Sequence, residues 1–163
     1  MAIEFQLIKT ENKQFVCFPE KVTQGSLNIN TTFQFGVAND RSNIKCDLLL
    51  KFNQGEELVL LCEIICYFSV KPESWDEMKT DNGYSVPVFF LQHMANVVVG
   101  LTRGVIFAKT EGTVFQSHVI PLMNLTEIIK NQTFESQITS YTDKVKTGYK
   151  LDKVETIPLT ITT

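Results

Sequence analysis

Histidine is nearly missing from this chain, which holds two, His93 and His118, in 163 residues. Histidine is the side chain whose ordinary range changes charge near neutral pH, so its scarcity narrows the room for acid–base chemistry. No serine sits in a nucleophile elbow, no glycine-rich run forms a phosphate loop, and no cluster has metal-ligand spacing. The four cysteines, Cys17, Cys46, Cys62 and Cys66, contain no C-x-x-C pair and all fall in strand-like runs. Free buried thiols are the expectation, because a structural zinc would need ligands from adjacent strands without the usual knuckle spacing. No catalytic residue, metal or cofactor is expected. Charge of one sign is also lacking: the net charge is −3, which gives no reason to expect nucleic acid. The opening M-A-I-E-F-Q-L-I-K lacks the basic start and apolar block of a secretory signal, so a cytoplasmic location is expected. The sequons at Asn30, Asn124 and Asn131 matter only in a secreted chain and are discounted.

What the chain does have is alternation. Ile3, Phe5 and Leu7 alternate, T-E-N-K breaks the pattern, and Phe15 to Phe18 resumes it, which reads as one bent or bulged strand. Leu27, Ile29, Thr31, Phe33, Phe35 and Val37 then alternate against polar neighbours, and so do Ile44, Cys46, Leu48, Leu50 and Phe52. Both read as strands with one wet face. Hairpin turns are expected at residues 39–42 and at Asn53 to Glu56. The run from Glu57 to Val70 is apolar on both faces except for Glu63, so it must be central or covered twice. Four strands joined in this way suggest an antiparallel meander.

The longest helical pattern runs from Pro87 to Phe107. Pro87 suits the first helical position, and Ser85 is a candidate cap. Phe90, Leu91, Met94, Val97, Val98, Leu101 and Val105 recur at spacings of three and four, an apolar stripe. The opposite side, with Phe89, Gly100, Gly104 and Phe107 among His93, Asn96 and Arg103, is not clearly polar, so neighbours on more than one side are expected. Gln92, His93, Asn96, Thr102 and Arg103 argue against a membrane span, since each is costly in hydrocarbon. Gly100 and Gly104 cost roughly 2 kcal/mol together in helix propensity, which suggests close approach of something to that face. Pro72 to Val86 reads as a crossover with one short helical turn, in which Trp75 either anchors the loop or faces a ligand. After a turn at Gly112, Phe115 to Ile120 reads as extended. Asn124 and Glu127 form a capping box for a short second helix of about two turns.

These elements imply an α+β fold: a four-stranded antiparallel β-sheet followed by a long helix and a short helix. Residues 1–130 form the expected domain. Residues 131–163 are a polar tail, with Val154, Ile157, Leu159 and Ile161 around Pro158 reading as a terminal edge strand or docked segment. Within this pattern Glu63 stands alone as an acid in an apolar strand. Its isolation favours exposure on a flat apolar surface with Val59, Leu61, Ile65 and Tyr67, or burial against another subunit.

Four stretches in order resemble the bacterial SecB family of protein-export chaperones over roughly residues 3 to 130. F-Q-L-I-K-T-E-N-K-Q-F-V-C-F-P is similar to that family's first strand, and L-L-C-E-I-I-C-Y-F-S-V to its fourth. The helix entered at Pro87 and carrying Thr102, Arg103 and Gly104 is similar to its long helix, and V-I-P-L-M-N-L-T-E-I-I to its entry into the second. The resemblance implies a homotetramer, a dimer of dimers with long helices between sheets, and an interface that includes Met94, Val98, Leu101 and Arg103. It implies a non-enzymatic chaperone that holds unfolded preproteins in apolar grooves for the translocase motor ATPase, with no cofactor. Carried over by position, Leu61 and Glu63 match motor-docking residues. Phe15, Leu27, Ile29, Trp75, Leu122, Leu125 and Ile128 fall near client grooves, though ordinary core packing accounts for each equally well. Gln14 and Phe18 stand where the family carries acids, and the tail lacks its acidic ending. A related chaperone serving a toxin–antitoxin pair or a phage or host assembly fits the same stretches. A hot-dog-like thioesterase or dehydratase is the enzyme alternative, but that class usually places its helix near the start of the sheet.

Overall fold

The computed structural model describes residues 3–37, 43–81, 85–118, 120 and 122–129 in full, and 83–84, 134–135, 149–150 and 157–161 by backbone pairing. The turn expected at 39–42, Pro121 and most of the tail lie outside the described residues.

The long strands are β1 (Phe5–Cys17), β2 (Leu27–Val37), β3 (Asn43–Gln54) and β4 (Glu57–Val70). All pair antiparallel in the order β1-β4-β3-β2. The meander is therefore β2, β3 and β4 only. β1 does not lie beside β2; it crosses to the free edge of β4, a Greek-key arrangement. The reason lies in β4, whose runs of apolar residues need neighbours along both edges, and in Phe5, whose ring meets Phe68 of β4 at 6.2 Å. Gly55, with φ +60°, forms the turn that sets Gln54 opposite Glu57.

One face of this sheet is the core. Phe33, Phe52, Leu48, Leu60, Ile64 and Phe68 are each at most 1% exposed on it. The long helix α2 (Val88–Lys109) lies against β3 and β4 of this face. It begins one residue later than expected: Pro87 is its N-cap, and Pro87 O accepts from the N–H groups of Phe90 and Leu91. Phe90, Leu91, Met94 and Val98 of the expected stripe are buried, as are Ala95, Val99, Thr102 and Ile106, while Val97, Leu101 and Val105 are half-buried against the core. Thr102 is buried at no cost in unpaired polarity, because its Oγ1 donates to Val98 O at 2.8 Å. Val88–Lys109 is long and apolar enough to cross a membrane. In this fold its apolar stripe covers the chain's own sheet.

Smaller elements close the ends. α1 (Pro72–Met78) buries Ser74, Trp75 and Met78. It is tied to the start of β1 by Glu4 N, which donates to Ser74 Oγ at 3.3 Å. Short strands β5 (Lys79–Thr80), β6 (Gly83–Tyr84) and β7 (Phe134–Glu135) make a second small sheet. The residues expected to be extended after Gly112 instead form a 3-10 turn, Val114–Ser117. Side chains decide this locally: Thr113 Oγ1 accepts from Phe115 N, and Ser117 Oγ donates to Val114 O. α3 (Leu125–Ile128) is one turn rather than two. Asn124 does not make the expected cap, because its side chain accepts from Thr126 Oγ1 at 2.6 Å. Gln92 of α2 donates to Ile129 O at 2.9 Å and holds this turn in place.

The second edge of the sheet is covered from the tail. β8 (Tyr149–Lys150) pairs with Gly36 and Val37, and β9 (Ile157–Ile161) runs antiparallel to Leu27 through Thr31. Pro158, opposite Asn30, suits such an outermost strand because it has no N–H to donate.

Candidate protein-interaction faces

The sheet face turned away from α2 carries a buried polar cluster built by an irregularity in β1. Register shifts between Leu7 and Lys9 and between Asn12 and Gln14 insert Ile8 and Lys13 as extra residues. The second shift aims Lys13 inward across β4. Its Nζ lies 2.9 Å from Glu63 Oε1 and 3.9 Å from Asp47 Oδ2, and Gln14 Nε2 donates to Glu63 Oε2. Glu63 is 6% exposed and Asp47 5%. The exposure expected for Glu63 is therefore corrected: it is buried within its own subunit and paired. Neighbours on one sheet suffice because β1 supplies both a cation and an amide.

Two carboxylates share this one ammonium, and their ionisation separates accordingly. Burial, then the nearby negative charge of Glu63, pushes Asp47 up to about 6. Burial alone would raise Glu63 too, but hydrogen bonds from Lys13 and Gln14 hold its carboxyl below the ordinary glutamate range. The Glu63 hydrogen bond in turn raises Lys13. Next along the face, Tyr67 Oη donates to Glu11 at 3.2 Å, and Lys9 lies 5.1 Å over the Tyr67 ring. Lys9, Lys13, Lys45 and Lys51 therefore stand with Glu11, Asp47 and Glu63 on a face of mixed charge.

The residues singled out from the sequence do not gather into one groove. Leu61 is half-buried between Val16 of β1 and Lys51 of β3 on this outer face. Leu27 and Ile29 are fully buried core residues and present no surface to a client in this fold. Trp75 and Leu125 are buried as well, Trp75 as the anchor of α1. Phe15 is half-buried under Lys109, whose Nζ is 5.0 Å above its ring. Ile128 is half-buried, and Leu122 is 88% exposed. Met94 and Val98, read as interface, are fully buried against the chain's own sheet, whereas Leu101 and Arg103 are half-buried at its margin.

A different side of α2 is open. Phe89 and Phe107 are each 62% exposed, with His93, Asn96, Gly100 and Gly104 exposed between them. A Cβ added at Gly100 or Gly104 would meet nothing within 4 Å, so neither glycine is required by contacts within the chain. Sequence reading missed Asp47 and Lys13. The signal for Asp47 was hidden in the same way: a straight count from the Gln54–Glu57 pair sets Leu48 opposite Glu63, and the register shift between Phe52 and Asn53 sets Leu49 there instead, with Asp47 on the adjacent diagonal.

The fold and these faces define an α+β domain whose helix is covered on one side and open on the other. No known protein family, curated protein or solved structure matches the chain.

Proposed function

We propose that this protein is a non-enzymatic, homo-oligomeric chaperone of the SecB type, acting in the cytoplasm on unfolded preproteins. The observation that carries this reading is the open side of α2, where Phe89 and Phe107 are each 62% exposed and a Cβ added at Gly100 or Gly104 between them would meet nothing within 4 Å. Large exposed apolar residues on a helix already packed on its other side favour association, and small residues between them let another backbone come close. The sequence resemblance supplies the kind of association, helices between sheets in a dimer of dimers. Client binding then falls to apolar residues at the surface, Phe15, Leu122 and Ile128, each buried group worth about 1.5 to 3 kcal/mol.

The outer face bears on the partner. A surface that docks a motor through acids needs free negative charge, and here Glu63 faces inward to Lys13 while Gln14 replaces an acid. This favours a dedicated partner other than the translocase motor, with half-buried Leu61 and exposed Val16 as the contact. Light scattering of the purified chain, alone and with a slowly refolding reduced protein, tests the reading. A tetramer that captures the unfolded protein and ignores its native form is expected. A monomer that captures nothing would remove the function.

A further inference from the structure

Six residues recur at spacings of three and four along the open side of α2: Phe89, His93, Asn96, Gly100, Gly104 and Phe107. All six are exposed, and no acid, lysine or arginine stands among them. Their sizes are ordered along the helix. Phe89 and His93 stand four apart in the first half, and Gly100 and Gly104 stand four apart in the second. His93 is held by Phe5, their ring centroids 5.3 Å apart. The glycines serve no contact within the subunit, since a Cβ at either would meet nothing within 4 Å, yet glycine is second only to proline in weakening a helix interior.

This order is self-complementary when two such helices run antiparallel. A two-fold axis between Asn96 and Val97 sets Phe89 against Gly104 of the partner subunit and His93 against Gly100 of the partner subunit, and by symmetry the reverse. Each bulky side chain then faces a position with no side chain, and the two backbones approach closely along the seam. Antiparallel pairing also brings the positive N-terminal end of each helix beside the negative C-terminal end of the other. A parallel pair would instead stack Phe89 on Phe89 of the partner subunit and leave the glycines facing each other across a gap.

We propose that the open strip of α2 binds the same strip of a second copy of this chain, antiparallel, in the register that sets Phe89 over Gly104 of the partner subunit. This rests on the oligomeric part of the reading above and names its orientation and register. Phe107 lies beyond the last glycine and covers the start of the partner subunit's helix.

Cross-linking tests the register apart from the oligomeric state. In a full-length chain carrying Cys17→Ser, the Asn96→Cys variant is expected to cross-link to its own counterpart under glutathione disulfide at least about tenfold faster than the Phe89→Cys variant, whose counterpart lies about 22 Å away along the seam. Light scattering with circular dichroism tests the match of sizes. Gly104→Phe is expected to weaken self-association at least about tenfold with helicity retained. Adding Phe89→Ala to it is expected to restore association, because each ring again faces a small residue, whereas adding Phe107→Ala is not. If Gly104→Phe fails to fold, the cross-linking comparison decides alone. Cross-linking at Phe89→Cys as fast as at Asn96→Cys, or a double variant as weak as Gly104→Phe, would overturn the pairing while an assembled mass kept the oligomeric reading. A parent chain that stays monomeric would overturn both.

Discussion

At Asp47 and Glu63 the balance of two acids and one lysine makes stability depend on pH in a specific direction. Asp47 titrates near 6 when folded and near 3.8 when unfolded, so its contribution is full below 3.8 and is lost as pH rises through 6. Glu63 is lowered from 4.5, so its contribution is present above 4.5 and is lost as pH falls through its folded value. Stability from this pair is therefore greatest near 4.5 or just below it, and falls as pH rises towards 6. Asp47→Asn is expected to exceed the parent at pH 7.5 by about 1 to 3 kcal/mol in urea unfolding, with the advantage shrinking at pH 5. A variant no more stable than the parent at pH 7.5 would contradict the shared-charge account. Lys13→Met leaves both acids without a cation, and a loss of about 1 to 3 kcal/mol at pH 7.5 is expected by the same measurement, despite the lysine's half-exposed stem. Thiol labelling checks the cysteines. Burial raises all four thiols, but only Cys17 is accessible, so native protein is expected to label at Cys17 alone, and slowly. Glu63's isolation was legible in the sequence. Its partner was not, because a register shift decides that Lys13 points inward, and register shifts leave no pattern of their own.

The scale of elements was easier to read where hydrophobic period dominates and harder where side chains bond to the backbone. Four strands and α2 follow from alternation and from three-four spacing. The 3-10 turn at Val114–Ser117 does not, since Thr113 and Ser117 override the extended pattern by capping neighbouring backbone groups. The buried side of α2 was read in part for a similar reason: Phe90, Leu91, Met94 and Val98 of the expected stripe are buried, but Ala95 and Thr102 carry little apolar signal and yet are buried too. Leu91→Ala on that side is expected to cost about 2 to 5 kcal/mol. The open side behaves differently. A Cβ at exposed Gly100 meets nothing within 4 Å, so the folded subunit is expected to tolerate Gly100→Leu, whereas an oligomer packed on this strip is not. Light scattering with circular dichroism separates the two effects. A drop in mass with helicity retained is expected, and an unchanged mass would place the interface elsewhere.

For the whole molecule, strand order was the least legible property. Two-residue turns force neighbours, as Gly55 does for β3 and β4, but the nine residues between Cys17 and Leu27 leave β1 free to pair anywhere within reach. What selects β4 is the fit of Phe5 between Phe68 and Phe90, whose rings lie 6.2 and 4.5 Å away, and this is a tertiary preference. The consequence is that β2, not β1, is left at the second edge, with core residues Leu27 and Ile29 on it. Antiparallel pairing of β9 with Leu27 through Thr31 satisfies those backbone groups, and an uncovered edge of this kind is a template for pairing with another chain. Removal of residues 157–163 is therefore expected to leave a chain that retains most of its helical signal but grows in mass with time and concentration. Stacked strands would account for that growth, so amyloid-type dye binding is expected to rise with it, while Leu27→Lys in the same truncated chain blocks further strand addition at a cost to the core. A truncated protein whose mass and solubility match the full chain would show instead that β2 needs no cover, and that the terminal strand serves some other purpose.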